Sequence, residues 1–301
     1  MAEMGWDRQY NRHWDEYNQR LVERGRIFWD LSWVPKHLDE IGSNEKKRGR
    51  PRLYGDALIS YVSRVRTVTG IPFRMLEGLF KPVFDLIGIE VPSYPTLWRR
   101  CTSLEAAAGI KATARKRIVA VDSTGIKVTV RGGWMREKWK VHKGWLKLHI
   151  LSDVETNEIL AFVATDERSS DAKHLLALVD AALAAGHGIA KVLADGAYDT
   201  RKNWNGMRER KIEFIAHIRK NASTTSRGCT VRSAHVQERN AIGEDEWRKR
   251  YGYNMRWKVE SVFSDLKRMF GESVSSKTFE NMVAEISRSI ECFNMMKAAG
   301  M

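Results

Sequence analysis

From residue 117 onward the apolar residues of this 301-residue chain change period, and that change constrains the fold more than any other feature. They stop recurring every three or four positions and come as short β runs instead. These are Ile118-Val-Ala-Val-Asp-Ser-Thr124, the alternating Leu146-Lys-Leu-His-Ile-Leu151, and Glu158-Ile-Leu-Ala-Phe-Val-Ala164. Asp153 to Asn157 reads as the hairpin turn between the last two. Residues 171–186 carry helix start and stop signals around Leu175, Leu176, Leu178, Val179 and Leu183. A buried strand over 189–194 ends at Asp195, a helix follows over 200–211, and another strand spans 213–218. The polar stretch 219–243 reads as irregular, and one long helix is predicted from near Asp245 to about Phe270. The order β-β-β-α-β-α-β-α predicts an α/β mixed sheet flanked by helices.

Residues 1–110 show only helical periods, which divides the chain into an all-α region over 1–110 and a mixed-sheet domain over 111–301. Trp6, Tyr10, Trp14, Tyr17 and Leu21 share one helical face, suited to a core or to a partner helix. Lys46-Lys-Arg-Gly-Arg-Pro-Arg52 is a Gly/Pro-broken basic linker. Its Arg50 and Arg52 fit either a solvated linker or an arm in a DNA minor groove. A helix over 54–69 has Leu58, Ile59, Val62 and Val65 on one side. After a break at Gly70-Ile-Pro72, Pro82 is expected to kink or split the amphipathic segment 73–88. A third helix carries Trp98, Arg99 and Arg100. Three short helices ending this way suit a helix-turn-helix unit with Arg99 and Arg100 on DNA, or an ordinary small helical bundle.

Charge narrows the range of partners. Lys and Arg number 51 against 37 Asp and Glu, a net of +14, which favours a polyanion and strongly salt-dependent binding. The excess is uneven: residues 111–150 hold 11 basic side chains and only two acidic ones, Asp122 and Glu137. Within that stretch Trp134, Lys138, Trp139, Lys140 and Lys143 interleave rings and cations, a pattern suited to base stacking with phosphate contacts, or to a hairpin covering the sheet. No run approaches the ~18–20 apolar residues of a membrane span. The first residues lack the basic and apolar blocks of an export signal, so export is not expected. Cys101, Cys229 and Cys292 have no C-x-x-C spacing, which offers neither a disulfide framework nor a zinc ribbon and fits a reducing compartment.

Two aspartates, Asp122 and Asp195, are predicted at strand ends, where α/β sheets bind ligands. The third candidate is Glu260 in Tyr253-Asn-Met-Arg-Trp-Lys-Val-Glu260-Ser-Val-Phe-Ser-Asp-Leu-Lys267. On one continuous helix Tyr253, Arg256, Glu260 and Lys267 fall at about 0°, 300°, 340° and 320°, a narrow stripe beside an apolar face. A surface salt-bridge stripe is the ordinary explanation for such charges. Three carboxylates brought together repel unless cations neutralise them, and oxygen donors without His or Cys favour Mg²⁺ or Mn²⁺. Two such ions about 4 Å apart activate an attacking oxygen and stabilise the leaving oxygen of a phosphodiester. Arg256 and Lys267 would then meet phosphate or transition-state charge. His149 and His174 are read as structural, and Asp153, Asp199 and Asp265 as turn or surface residues.

The Y-x2-R-x3-E-x6-K pattern of Tyr253, Arg256, Glu260 and Lys267, with Val121-Asp122-Ser-Thr and Asp195-Gly-Ala-Tyr upstream, resembles insertion-sequence transposases of the DDE type. The likeness is closer to the insertion-sequence-five-like group, whose general layout the intervals of 73 and 65 residues fit. Lys147-Leu-His149 and Asp171-Ala-Lys-His174 also resemble segments found there. The catalytic likeness covers about residues 118–295.

The resemblance implies an RNase H-like core with Asp122, Asp195 and Glu260 as catalytic and metal-holding residues around two Mg²⁺ ions. It implies cleavage of transposon ends, transfer of the freed 3′-OH to target DNA, and a homodimer joining two ends. It also implies a cytoplasmic protein acting on the prokaryotic nucleoid. Tyr253 becomes a phosphate or DNA contact, not a nucleophile. Two rivals stay open: an RNase H-like nuclease without strand transfer, and a non-catalytic DNA-binding protein derived from a transposase.

Overall fold

The computed structural model describes residues 14–43, 49, 51–104, 115–129 and 145–299, and among these five helices precede the first strand. They are α1 (Trp14–Arg26), α2 (Trp33–Gly42), α3 (Asp56–Thr69), α4 (Phe73–Leu86) and α5 (Tyr94–Ser103). The apolar stripe of α3 is buried as predicted: Leu58, Ile59, Val62 and Val65 all face inward. Trp33 of α2 stacks on Tyr61 with ring centroids 5.1 Å apart and tilts against Phe84 at 5.4 Å. Pro82 does not split α4, which continues to Leu86. Phe80 and Phe84, one on each side of the proline, are both buried and pin the two halves to the same cluster. The exposed Trp14, Tyr17 and Leu21 exclude a core role for their part of the aromatic stripe, and α1 buries none of its residues.

The mixed sheet has six strands: β1 (Arg117–Val128), β2 (Trp145–Asp153), β3 (Ile159–Asp166), β4 (Ile189–Ala194), β5 (Glu213–Ala216) and β6 (Ser273–Val274). Their spatial order is β3-β2-β1-β4-β5, with β6 added to the far end of β1. The first three are antiparallel, while β4 and β5 run parallel to β1, which is the RNase H-like arrangement the resemblance implied. The interleaved helices are α6 (Leu175–Ala184), α7 (Arg201–Glu209), α8 (Thr230–Ile242), α9 (Glu244–Tyr251), α10 (Lys258–Phe270) and α11 (Phe279–Ala298). Val119, Val121, Leu148, Ile150, Val192 and Leu193 are fully buried at the centre, each contributing roughly 1.5–3 kcal/mol.

Two predicted segments differ. The polar stretch 219–243 contains a helix, α8, whose inward face is itself polar: Ser233, Val236 and Arg239 are its buried residues. Arg239 donates to the carbonyls of Ile218, Arg219 and Lys220, so the helix docks by satisfying the backbone that leaves β5. The single helix predicted over 245–270 is broken. Gly252 adopts φ 64° after α9, and Tyr253–Trp257 forms a 3₁₀ turn before α10 begins. A left-handed residue ends a helix, and glycine takes that conformation without strain.

The helical region and the sheet meet at α11. Arg288 donates to the Cys101 carbonyl of α5, and Asn294 makes two bonds to the Ile159 backbone of β3. Among the described residues no helix is long and apolar enough to cross a membrane, and all three cysteines are buried and unpaired.

Asp153 does lie at the hairpin turn, accepting from the Glu155 and Thr156 amides, yet it is buried and not a surface residue. Arg117 reaches it at 2.9 Å and Glu158 at 3.0 Å, with all three side chains nearly inaccessible. Arg117→Met would leave two carboxylates buried without their cation, a loss of about 3–5 kcal/mol. Urea unfolding of the two proteins should show this as a lower midpoint at unchanged slope.

Candidate active site

The site begins with a register. The parallel ladder between β1 and β4 ends at Val121↔Ala194, so Asp122 and Asp195 are the first residues beyond it on adjacent strands. Asp195 leaves β4 as predicted and accepts the Ala197 amide at 2.8 Å. Asp122 does not end its strand. It pairs with Ile150 across β2, and β1 continues to Val128 because β2 and β6 supply partners that β4 no longer does. Gly196 follows Asp195 under a tight roof: a Cβ there would lie 3.3 Å from the His217 carbonyl.

Glu260 sits in the first turn of α10, where the positive end of a helix favours an anion. Val259, Val262, Phe263 and Leu266 bury the adjoining face as the period predicted, but Glu260 itself lies out in solvent and not at the rim of that face. The carboxylate of Glu260 is exposed and receives Arg256 Nη2 at 2.6 Å; Arg256 Nη1 reaches Asp122 Oδ2 at 3.3 Å. Arg256 therefore bridges Asp122 and Glu260, one cation held between two carboxylates from distant parts of the chain. The remaining oxygen of Asp122 accepts the Ser123 amide at 2.8 Å. Burial, with the anions of Asp195 and Glu260 nearby, pushes the Asp122 carboxyl above its usual range despite that amide and Arg256.

Tyr253 and Lys267 do not complete a single stripe, because the wheel that joined them assumed a helix that breaks at Gly252. Tyr253 is only 7% exposed, with Trp247 and His217 rings about it at 6.1 and 6.3 Å. Burial pushes its hydroxyl up to about 12. Lys267 lies two turns beyond Glu260, about 10 Å along the helix axis, where its charge acts on Glu272. Arg99 and Trp98 are exposed on α5. Arg100 is engaged within the fold, at 2.5 Å from Asp56 and 3.2 Å from the Tyr54 carbonyl. Arg52 is exposed, 3.6 Å from Asp56. Arg50, Trp134, Lys138, Trp139, Lys140 and Lys143 lie outside the described residues.

A second polar cluster backs the aspartates. His149 is fully buried, its Nε2 3.0 Å from Thr165 Oγ1 and its Nδ1 3.2 Å from Asp171, which also pairs with Lys147 at 2.7 Å. Burial, reinforced by His174 stacked at 4.6 Å, pushes His149 down to about 4, so it is neutral near pH 7. Tyr198 was not singled out from the sequence. It is 1% exposed, and its hydroxyl has no hydrogen-bond partner among the described residues. Burial first, and then the anions of Asp171, Asp122 and Asp195, push that hydroxyl upward. Only its place three residues after Asp195 signalled it.

The donor chemistry of Asp122, Asp195 and Glu260 suits a hard divalent cation. Among the described residues, however, no group of three or more His, Cys, Asp or Glu side chains converges closely enough to hold a metal ion. Arg256 occupies the space between two of them.

Comparison with known proteins agrees with this layout. Residues 113–295 match the family described as transposase DDE domain, and residues 22–131 match a second family of the same description. Among solved structures, similarity extends to a piggyBac transposase synaptic complex with hairpin DNA, at 9% identity over 94% of this chain and 75% of that one, TM-score 0.44. A Drosophila P element transposase strand transfer complex aligns at 11% identity over 87% and 70%, TM-score 0.36. A simian T-cell lymphotropic virus intasome in complex with PP2A regulatory subunit B56 gamma aligns at 12% over 66% of this chain, TM-score 0.28. The chain spans 65% of that last chain, just under two thirds. These likenesses are distant, and the assignment rests on the family match. With residues 113–295 matched, more than half its length, the chain belongs to the transposase DDE domain family.

Proposed function

We propose that this chain cleaves the ends of an insertion sequence and joins the freed 3′-OH to target DNA. The observation that carries the reading is the Arg256 bridge between Asp122 and Glu260, beside an Asp195 that leaves the neighbouring strand. In this reading Asp122, Asp195 and Glu260 hold two Mg²⁺ ions, with Mn²⁺ as a substitute. Bound there, the ions would activate the attacking oxygen and stabilise the leaving one. Burial first, and then the anions of Asp195 and Glu260, raise the Asp122 carboxyl, and added positive charge would favour its anionic form. Arg256, held between Asp122 and Glu260, would meet phosphate or transition-state charge there.

The same reading assigns residues 1–110 to DNA binding and oligomerisation and 111–301 to catalysis. The partners are double-stranded terminal repeats and target DNA, and a second copy of this chain in the complex that joins two ends. The setting is the prokaryotic nucleoid, and the group within the family is the insertion-sequence-five-like one. Arg99, Arg50, Arg52, Lys267 and the basic-aromatic run 134–143 are the proposed DNA contacts. Tyr253 supports that surface from beneath, and Arg100 holds α5 in place behind Arg99.

Two measurements test this. A supercoiled plasmid carrying the gene's own flanking DNA should be nicked at the element's ends when Mg²⁺ or Mn²⁺ is added. Asp122→Ala should lose that activity by at least the roughly 10²–10³-fold that follows removal of one charge-stabilising group, while still shifting the DNA in a gel. Metal-independent nicking, or full activity in the mutant, would sink the assignment.

The second test is electrostatic. Arg256 lowers the Asp122 carboxyl, so Arg256→Ala should raise its midpoint further above the ordinary value of 3.8. Carboxyl-carbon NMR would follow it. The anionic form of Asp122 is disfavoured in the folded state, so folding stability should fall as pH rises from 3.8 through the raised midpoint, and more steeply in the mutant.

A further inference from the structure

A second concave site lies a few residues from Asp195, and the metal-site reading makes no use of it. It is a cavity of about 340 Å³ lined by Arg201, Arg227 and Arg232 together with the hydroxyls of Ser223, Thr225 and Ser226. Asp199 is the acidic residue among its lining side chains, and it is already neutralised. Arg232 binds it through Nε at 2.7 Å and Nη2 at 2.6 Å, and Trp204 Nε1 donates to it at 2.8 Å. Its side chain is 5% exposed, so of the turn or surface role predicted for Asp199 the turn holds, directly after a 3₁₀ segment, and the surface does not. What remains toward the opening is the charge of Arg201 and Arg227. Arg201 is steadied at the rim by donating through Nη1 to the Arg227 carbonyl at 2.7 Å, which leaves its other donors to face outward.

Two guanidinium groups with hydroxyls, around a space more than ten times the ~30 Å³ of a water, form a receptor for a tetrahedral oxyanion. A guanidinium donates two parallel N–H bonds to such a group, and hydroxyls fill its remaining lone pairs. Arg201 lies six positions after Asp195, a path of at most roughly 21 Å. That is the axial rise of about six nucleotides along one strand.

We infer that Arg201 and Arg227 form a phosphate subsite that grips the DNA backbone within about six nucleotides of the bond cut at Asp195. The inference rests on the proposed DNA-cleaving function, because Asp195 marks where the cut would fall. Arg232 is a positioning residue: by holding Asp199 it keeps a carboxylate from competing with the bound anion.

The test is the salt dependence of binding to a fluorescein-labelled duplex of the gene's flanking DNA, read by anisotropy. Each phosphate contact contributes about 0.9 to the slope of log K against log salt. Arg201→Ala/Arg227→Ala should remove that one phosphate contact, lowering the magnitude of the slope by about 0.9 and weakening binding roughly tenfold at 0.1 M salt. Arg201→Lys/Arg227→Lys, which keeps the charge, should recover most of the slope. Both side chains are exposed, and circular dichroism of the variants controls for folding. An unchanged slope in the alanine variant overturns the inference, as does a wild type that binds no DNA. A wild type in which inorganic phosphate saturates the cavity while the DNA slope is unaffected assigns it to a free anion and also overturns it. Metal-dependent nicking with an unchanged slope would remove this subsite and leave the transposase reading standing. A shifted slope without nicking would do the reverse.

Discussion

The parallel pairing of β1 with β4 is the constraint on which the remaining chemistry depends. Asp122 and Asp195 are 73 residues apart in sequence, and only this ladder brings them side by side. Its register sets where each carboxylate emerges: Val121 and Ala194 are the last paired residues, both fully buried. A slip of one position would turn an aspartate into the core and a valine toward solvent. The apolar faces on both sides of the ladder forbid that slip, so the hydrophobic core enforces the geometry of the polar site. The third carboxylate depends on the same sheet, because α10 buries Val259, Val262, Phe263 and Leu266 in the core cluster that contains β1. The face of α10 that remains outside carries Glu260.

Much of this was legible in the sequence where apolar periods were regular. The β runs at 118–124, 146–151 and 158–164, the hairpin turn and the strand before Asp195 all appear where their patterns indicate. Asp122 and Asp195 emerge side by side from the expected strands, and Arg256 links Asp122 to Glu260, although the extent of β1 was not legible. Whether a strand continues past a polar triplet depends on partners supplied by β2 and by the two-residue β6, and β6 carries no period of its own. The helix α8 was hidden for a related reason. Its docking face uses Ser233 and Arg239, so no apolar stripe announces it. Gly252 was visible, but the charged rows on both sides kept a helical spacing across it. A 3₁₀ turn winds in nearly the same sense as an α-helix, so Arg256 and Glu260 still meet across the junction while Tyr253 turns inward.

The burial of Asp153 and Asp199 depends on partners that no local sequence pattern reveals. Turn residues are assigned to the surface because their backbones have no ladder partners, and each of these aspartates does lie beside a turn. Each is nonetheless enclosed, because a distant arginine arrives to pair with it: Arg117 from the start of β1, Arg232 from α8. Pairing of that kind is a property of the folded chain and leaves no local trace. It also changes how a substitution should be judged. Neutral removal of the acid and its arginine together costs far less than removal of one, since the larger penalty comes from the charge left behind.

These pairings also change what the net charge of +14 means. Read as composition, every arginine counts toward attraction for a polyanion. In the folded chain Arg100, Arg117, Arg210, Arg232 and Arg239 spend their guanidinium groups on carboxylates or backbone carbonyls of their own fold. Such groups contribute to the long-range field but cannot exchange counterions one for one with phosphates, because their donors are already committed. The side chains able to do so are those whose donors face water. Among the described residues these include Arg99 on α5 and Arg227, together with the donors of Arg201 other than the one held by the Arg227 carbonyl. Arg256 is committed to Asp122 and Glu260. Under the proposed function, the strength of DNA binding should therefore follow the few arginines whose donors face water far more closely than it follows the total charge.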